Sequence, residues 1–172
     1  WPDLSTYASI CERLLLDNEL EACDATVYLH VTRGVAPRSH AFPDDPIPST
    51  VYGFASSLEP VQEKWDKGVK AILHPDLRWA RCDIKSLALL PNVLATQEAK
   101  ENGAEEVLLV RDGAITEGSR TSFCAVFDGE LVTYPDSNYI LPGITRKVVL
   151  GLCEELDIPV KKFPVLAGRL KE

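Results

Sequence analysis

The sequence predicts an α+β fold, and three observations carry that reading. Strand-like stretches come in pairs closed by Asp112-Gly113 and Asp128-Gly129, the dipeptide that a tight hairpin turn favours. Stretches with apolar residues three and four apart, the spacing of a helix, are interspersed between them. The elements do not follow the regular strand–helix alternation of a doubly wound sheet, so a mixed α+β packing is expected.

The elements follow in order. Residues 3–18 place Leu4, Tyr7, Ile10, Cys11, Leu14 and Leu15 at helical spacing, with Asp3 or Ser5 placed to cap. Residues 25–33 alternate, with Val27, Leu29 and Val31 on one face and Thr26, Tyr28, His30 and Thr32 on the other, as a half-buried strand does; Gly34 ends it. Pro37, Pro43, Pro46 and Pro48 make 36–49 a loop or extended segment, and 50–56 return as a strand. Residues 57–65 are polar, contain Pro60 and read as a connector, which divides the chain into domains 1–60 and 61–172. Residues 69–73 form a strand. The stretch Arg78-Trp79-Ala80-Arg81-Cys82-Asp83-Ile84-Lys85-Ser86-Leu87 then reads as a strand end that delivers Lys85 into an interior. A helix follows, with Pro91 at its first position and Gly103 just past its end. The two Asp-Gly hairpins span 106–116 and 123–134. Gly143 opens a helix to about Leu156, with Val148, Val149, Leu152 and Leu156 on one face, and 158–165 supply a last strand.

Composition narrows the function. The chain has 172 residues, 45% hydrophobic and 26% charged, enough for a substantial core. A net charge of −8 speaks against nucleic acid as the main partner. No apolar run is long enough to span a membrane, and the sequence shows no signal peptide. Five cysteines, Cys11, Cys23, Cys82, Cys124 and Cys153, without a C-x-x-C pair, read as free thiols in a reducing cytoplasm, with no metal site. The chain has no methionine, opens on Trp1 and stops at Leu170-Lys171-Glu172 in what reads as an uncapped young helix, so it reads as an internal piece of a longer protein.

Each residue that could carry chemistry has a plainer reading beside it. Lys85 lies among Cys82, Ile84, Leu87, Leu89 and Leu90. An ammonium buried there would shift toward the neutral amine that Schiff-base chemistry requires; the alternative is an ordinary solvated lysine. Pro142-Gly143-Ile144-Thr145-Arg146 is an anion seat at a helix N-terminus, or an ordinary helix start capped by Thr145. Glu117 is a turn carboxylate in water, or an acid set against a protonated ring nitrogen. Arg38 and His40, two apart in a proline-bounded segment, clamp a carboxylate if that segment is extended, or sit in a solvated loop. His74, beside Pro75, reads as structural.

Four segments in one collinear order resemble the class IV aminotransferases, pyridoxal-phosphate enzymes of fold type IV, and within them those that act on D-amino acids. They are Val31-Thr32-Arg33-Gly34 with Pro37-Arg38-Ser39-His40, then Arg81-Cys82-Asp83-Ile84-Lys85-Ser86, then Thr116-Glu117-Gly118-Ser119, and last Ile140-Leu141-Pro142-Gly143-Ile144-Thr145-Arg146. The resemblance implies that 1–60 is the end of a small domain and 61–172 part of a large cofactor-binding domain. It implies that Lys85 holds pyridoxal 5'-phosphate as a Schiff base and shuttles the substrate's α-proton. Glu117 would pair with the ring nitrogen and Leu141 would pack on the ring. The N–H of Ile144 and the side chain of Thr145 would bind the phosphate. Arg38 and His40 would trap the substrate carboxylate in a neighbouring subunit's site, with Tyr28 lining the pocket, so the active form would be a homodimer. The implied reaction moves an amino group from a D-amino acid to a 2-oxo acid. The sequence departs from the family after Glu117-Gly118-Ser119, where Arg120, Thr121 and Ser122 replace serines and an asparagine. The rival readings are a branched-chain L-amino acid aminotransferase, against which Arg38 and His40 speak, an aminodeoxychorismate lyase, and an inactive truncated chain. The resemblance also implies further segments at both ends that complete the phosphate and substrate contacts.

Overall fold

A computed structural model describes residues 3–59 and 61–171, apart from the side chains of Trp65 and Lys171. Trp1, Pro60 and Glu172, on which parts of the fragment and connector expectations rest, lie outside the described residues. The chain divides into two compact units, Trp1–Gln62 and Glu63–Glu172.

In the first unit, helix α1 (Leu4–Asp17) begins where the Asp3 carboxylate accepts from the Thr6 N–H at 2.8 Å. That satisfies one of the amide donors a helix start leaves open. Strands β1 (Ala25–Thr32) and β2 (Thr50–Ser57) pair antiparallel, Val27 opposite Ala55 and Val31 opposite Val51. The proline-rich connection between them has no regular structure.

The second unit holds two sheets. One runs β3 (Ala71–Pro75), β4 (Glu106–Arg111), β5 (Ala114–Gly118) and β9 (Val165–Leu166). The other runs β6 (Cys124–Phe127), β7 (Glu130–Thr133) and β8 (Val160–Lys162). The Asp-Gly turns close β4–β5 and β6–β7. Asp112 and Asp128 have φ of 52° and 51°, and the glycines that follow have φ of 80° and 81°, the doubly left-handed pair that matches strand twist. Strands β3 and β4 are parallel, as are β7 and β8, and parallel neighbours need a crossover. Helices α3 (Leu90–Glu101) and α4 (Ile144–Glu155) supply the two crossovers. Ala95 and Ala99 of α3, one turn apart, pack on Val107 and Leu109. Ile115, Val132 and Val165 form a second cluster that joins β5, β7 and β9. His74 bridges α3 and β3, its Nε2 3.2 Å from Glu98 and its Nδ1 2.6 Å from the Pro75 carbonyl.

Four expectations need correction. The polar connector contains a short helix, α2 (Gln62–Lys67), supported by a Glu63–Lys67 pair one turn apart and by Lys64 on Glu105, each at 2.6 Å. The single last strand is two, because Phe163-Pro164 carries the chain from one sheet to the other. The expected face of α4 is rotated: Val148, Leu152 and Leu156 are exposed, while Arg146 and Cys153 are buried. The closing residues form a 3₁₀ turn, Ala167–Lys171, instead of the start of an α-helix.

Candidate active site

The candidate site is built where three chain segments meet in the second unit. Strand β5 is buried on both faces, so Glu117 cannot turn its carboxylate to water. A buried carboxylate requires donors, and here they come from two directions. Arg78, in the irregular stretch after β3, donates from Nη1 to Glu117 Oε1. The Leu141 N–H, in the stretch before α4, lies 3.2 Å from Oε1 and 3.1 Å from Oε2. The bland alternative for Glu117, a turn carboxylate in water, is thereby excluded.

Arg78 is itself held. Its Nε and Nη2 donate to the two oxygens of Asp76 at 2.8 and 2.9 Å, a side-on bidentate pair, and Nη2 reaches the Tyr139 carbonyl at 3.1 Å. The Asp76 side chain is 0% exposed and that of Arg78 8%. Arg111, at the end of β4, closes the group: its Nη2 lies 3.2 Å from Asp76 and 3.0 Å from the Arg78 carbonyl, and its guanidinium stacks over the Tyr139 ring at 4.5 Å. Thr116 Oγ1 lies 3.1 Å from Asp76 Oδ2. Two carboxylates and two guanidiniums share one buried site, so its formal charge cancels.

The electrostatics follow from that arrangement. Burial pushes the Glu117 carboxyl above its ordinary value, and the bond from Arg78 works against it. Burial also acts against the charge on Asp76, but the hydrogen bonds from Arg78 outweigh it and hold this carboxyl low. Burial pulls Arg78 down, and its two carboxylate partners more than reverse that, so it stays charged. Cys82 packs beside the group with its thiol pushed up by burial, its N–H bonded to the Asn138 carbonyl at 2.8 Å.

On the far side of Leu141, Gly143 is the N-cap of α4 with no side-chain cap. The expected Thr145 cap is absent, because Thr145 sits inside the first turn. The first-turn amides of Ile144 and Thr145 thus head an uncapped helix start. A Cβ on Gly143 would come within 2.9 Å of Ser122 Oγ, so the glycine keeps the mouth of the helix open beside that serine. A groove of about 830 Å³ runs along α4 and includes Gly143, Arg146 and Lys147, but neither Lys85 nor Glu117. A buried carboxylate tied to a cation, next to an uncapped helix N-terminus, is a donor set that fits an aromatic nitrogen cation carrying a phosphate.

Lys85 is placed differently from the expectation. Strand β3 ends ten positions earlier, and residues 76–89 have no regular structure. The lysine side chain is exposed, and its apolar neighbours Ile84, Leu87, Leu89 and Leu90 are exposed as well, so local apolar composition does not make a dry site here. What the fold does is anchor the lysine's segment at Arg78 and Cys82, against the strand of Glu117 and the Asn138–Leu141 stretch. Arg38, His40 and Tyr28 belong to the first unit. Arg38 and His40 are exposed in the β1–β2 connection. Tyr28 stacks on Phe54 at 5.2 Å and its hydroxyl lies 3.1 Å from His30 Nδ1.

Sequence reasoning missed Asp76, Arg78 and Arg111 as site residues. The signal available was Glu117 itself: a carboxylate on a strand of small and apolar residues demands a cation.

Comparison with known proteins adds the following. The family model described as amino-transferase class IV matches residues 1–172. A D-alanine aminotransferase from Staphylococcus epidermidis is 41% identical over 158 residues, covering 91% of this chain and 55% of its own length. The branched-chain amino acid aminotransferase of Escherichia coli superposes with a TM-score of 0.81 at 22% identity, over 98% of this chain and 57% of the other. A hypothetical aminotransferase from Mycobacterium tuberculosis, in its PLP-bound form, gives 0.81 at 21% identity, over 99% and 62%. The two structures share the α+β fold, and the chain spans about half the length of the curated relatives it matches.

Proposed function

The chain belongs to the class IV aminotransferases, and on that premise we propose that it is the cofactor-bearing part of an enzyme that transfers an amino group from a D-amino acid to a 2-oxo acid. The observation that carries the proposal is the buried Glu117, held between Arg78 and the Leu141 N–H beside the open start of α4. The 41% identity to a D-alanine aminotransferase supports the D-amino acid assignment over the branched-chain and lyase alternatives.

Pyridoxal phosphate, when bound, supplies a ring that accepts the electrons left when the substrate's α-proton departs. Every other task falls to the chain. Glu117 presents an anion to the ring nitrogen and keeps a proton on it. The Ile144 N–H and Thr145 Oγ1, at the positive end of α4, bind the phosphate. Leu141 supports a ring face. Lys85 Nζ would be the amine that holds the cofactor, and it would move the substrate's α-proton, working as base and then acid. An exposed Lys85 needs further cover to lose water, which a second chain and further parts of a longer enzyme would supply. Arg38 and His40, with Tyr28, supply the carboxylate clamp to that second chain's site. The free thiols of Cys11, Cys23, Cys82, Cys124 and Cys153 suit a reducing cytoplasm.

The test is chemical. Incubation with pyridoxal phosphate, borohydride reduction and peptide mapping should place the label on Lys85. A label on another lysine, or none, rejects the assignment. Activity with D-alanine and 2-oxoglutarate is expected to exceed that with L-leucine or aminodeoxychorismate; activity on L-leucine alone would reject the D-amino acid reading.

A further inference from the structure

We propose that Asp76 and Arg78 are positioning residues for Glu117: the bidentate pair aims one guanidinium nitrogen at Oε1 and fixes the carboxylate, the Arg78 charge favours its anion, and Oε2 is left to serve the ring nitrogen. The inference rests on the reading of Glu117 given above and goes further, because it assigns work to two side chains that touch neither substrate nor cofactor.

Geometry sets the direction. Asp76 grips Arg78 along Nε and Nη2, which leaves Nη1 as the nitrogen that points to Glu117. Among the described residues Oε1 receives both Arg78 and Leu141, whereas Oε2 receives only the shared Leu141 N–H. Oε2 thus retains acceptor capacity.

Charge sets the strength. The groups around Glu117 are Arg78 and Asp76 after β3, Cys82 and the Leu141 N–H; Arg111 on β4 and Thr116 on β5 reach it through Asp76 and Arg78. Of these, Arg78 is the cation bonded to Glu117, and Asp76 is the nearby anion that tempers it. Without Arg78 a buried Glu117 takes up a proton more readily and is a weaker acceptor for a ring N–H. With Asp76 neutralised, a nearby anion is gone and the Arg78 charge is no longer shared between two carboxylates, so Glu117 holds a proton less readily.

The test reads Glu117 directly. Carboxyl-labelled glutamate is followed by NMR through a pH titration of the chain before any cofactor is added, with Glu117→Gln assigning the resonance. Arg78→Met is expected to raise the Glu117 midpoint by roughly one pH unit or more, and Asp76→Asn to lower it. Arg78→Lys, which keeps the charge but not the fork, should fall between Arg78→Met and the unchanged chain. Should Arg78→Met fail to fold, Asp76→Asn decides by the sign of its shift. Glu117 midpoints that stay where they were in the folded variants overturn the proposal. Pyridoxal phosphate added afterwards, followed by fluorescence quenching, should bind at least tenfold more weakly to Arg78→Met. The two readings separate cleanly. Shifted midpoints with no label on Lys85 sink the aminotransferase assignment and leave the pair standing; unshifted midpoints with a labelled Lys85 do the reverse.

Discussion

At the scale of single residues, the site depends on a carboxylate that does not touch it. Glu106, at the start of β4, accepts from the Ser119 N–H at 3.1 Å, Ser119 Oγ at 2.5 Å and Thr121 Oγ1 at 2.9 Å. Those bonds fold the turn that follows Glu117 back onto its own sheet, and hydrogen bonding holds the Glu106 carboxyl low against burial. Gly118 makes the turn possible by close approach: a Cβ there would lie 2.1 Å from Thr121 Oγ1 and 3.1 Å from the Glu106 carboxyl. Gly118→Ala is therefore expected to cost about 1–3 kcal/mol of stability, from displaced neighbours in a packed turn. Urea unfolding measures it, and a loss below about 0.5 kcal/mol would show that the turn yields freely. The same residues show what a sequence reveals of a site. Glu117, Leu141 and Thr145 stand in recognisable strings. Asp76 and Arg111 do not, and Arg78 heads the Lys85 stretch without a legible role; what distinguishes the three is that they meet, and 38 residues separate Arg78 from Thr116 on β5.

Among the elements, those fixed by short-range chemistry were legible and those fixed by tertiary partners were not. Both Asp-Gly hairpins, the Asp3 cap and the Pro91–Gly103 helix follow from local backbone preference alone. Helix α4 shows the limit. Apolar spacing assigns Val148, Leu152 and Leu156 to the core, yet Arg146 and Cys153, two turns apart, are the buried residues. An arginine on the inner face is unreadable as core until its partners are known: Thr133 Oγ1 at 3.1 Å, the Tyr134 carbonyl at 2.7 Å and Asp136 at 2.6 Å. The 55% exposure of the Asp136 side chain discounts that ion pair, so most of the value lies in the buried Thr133 hydroxyl and the half-buried Tyr134 carbonyl, which would lose a charged donor. Arg146→Met should accordingly cost about 2–3 kcal/mol, while Lys147→Met, on the exposed side of the same turn, should cost less than about 0.5 kcal/mol. Chemical denaturation of both variants tests this; equal losses would mean that Arg146 does not anchor the helix.

For the whole molecule, pH reports how these buried charges add up. Asp76 and Glu106 have carboxyls held below their ordinary values of 3.8 and 4.5. In each case the unfolded chain takes up a proton before the folded one does, so the stability they confer is present above those values and is lost as pH falls through the lowered ones. Glu117 has the opposite sign. Its raised carboxyl binds a proton more readily when folded, which favours the fold below its ordinary value of 4.5 and fades as pH rises through the raised one. The chain as a whole sides with the first pair: 26 carboxylate side chains against 18 lysines and arginines give −8 near neutrality, and protonating them leaves an increasingly cationic surface. Thermal unfolding between about pH 7 and about pH 3 should show little change at first and a steep loss below about pH 4.5. Asp76→Asn and Glu106→Gln should each start from lower stability and flatten that descent, because the site that prefers to stay ionised in the fold is gone. Glu117→Gln should steepen it, because a buried carboxyl that gains from acid has been removed. A Glu117→Gln profile that runs parallel to that of the unsubstituted chain would show that the acid beside Arg78 titrates as it does in water, and that burial in β5 confers no special property on it.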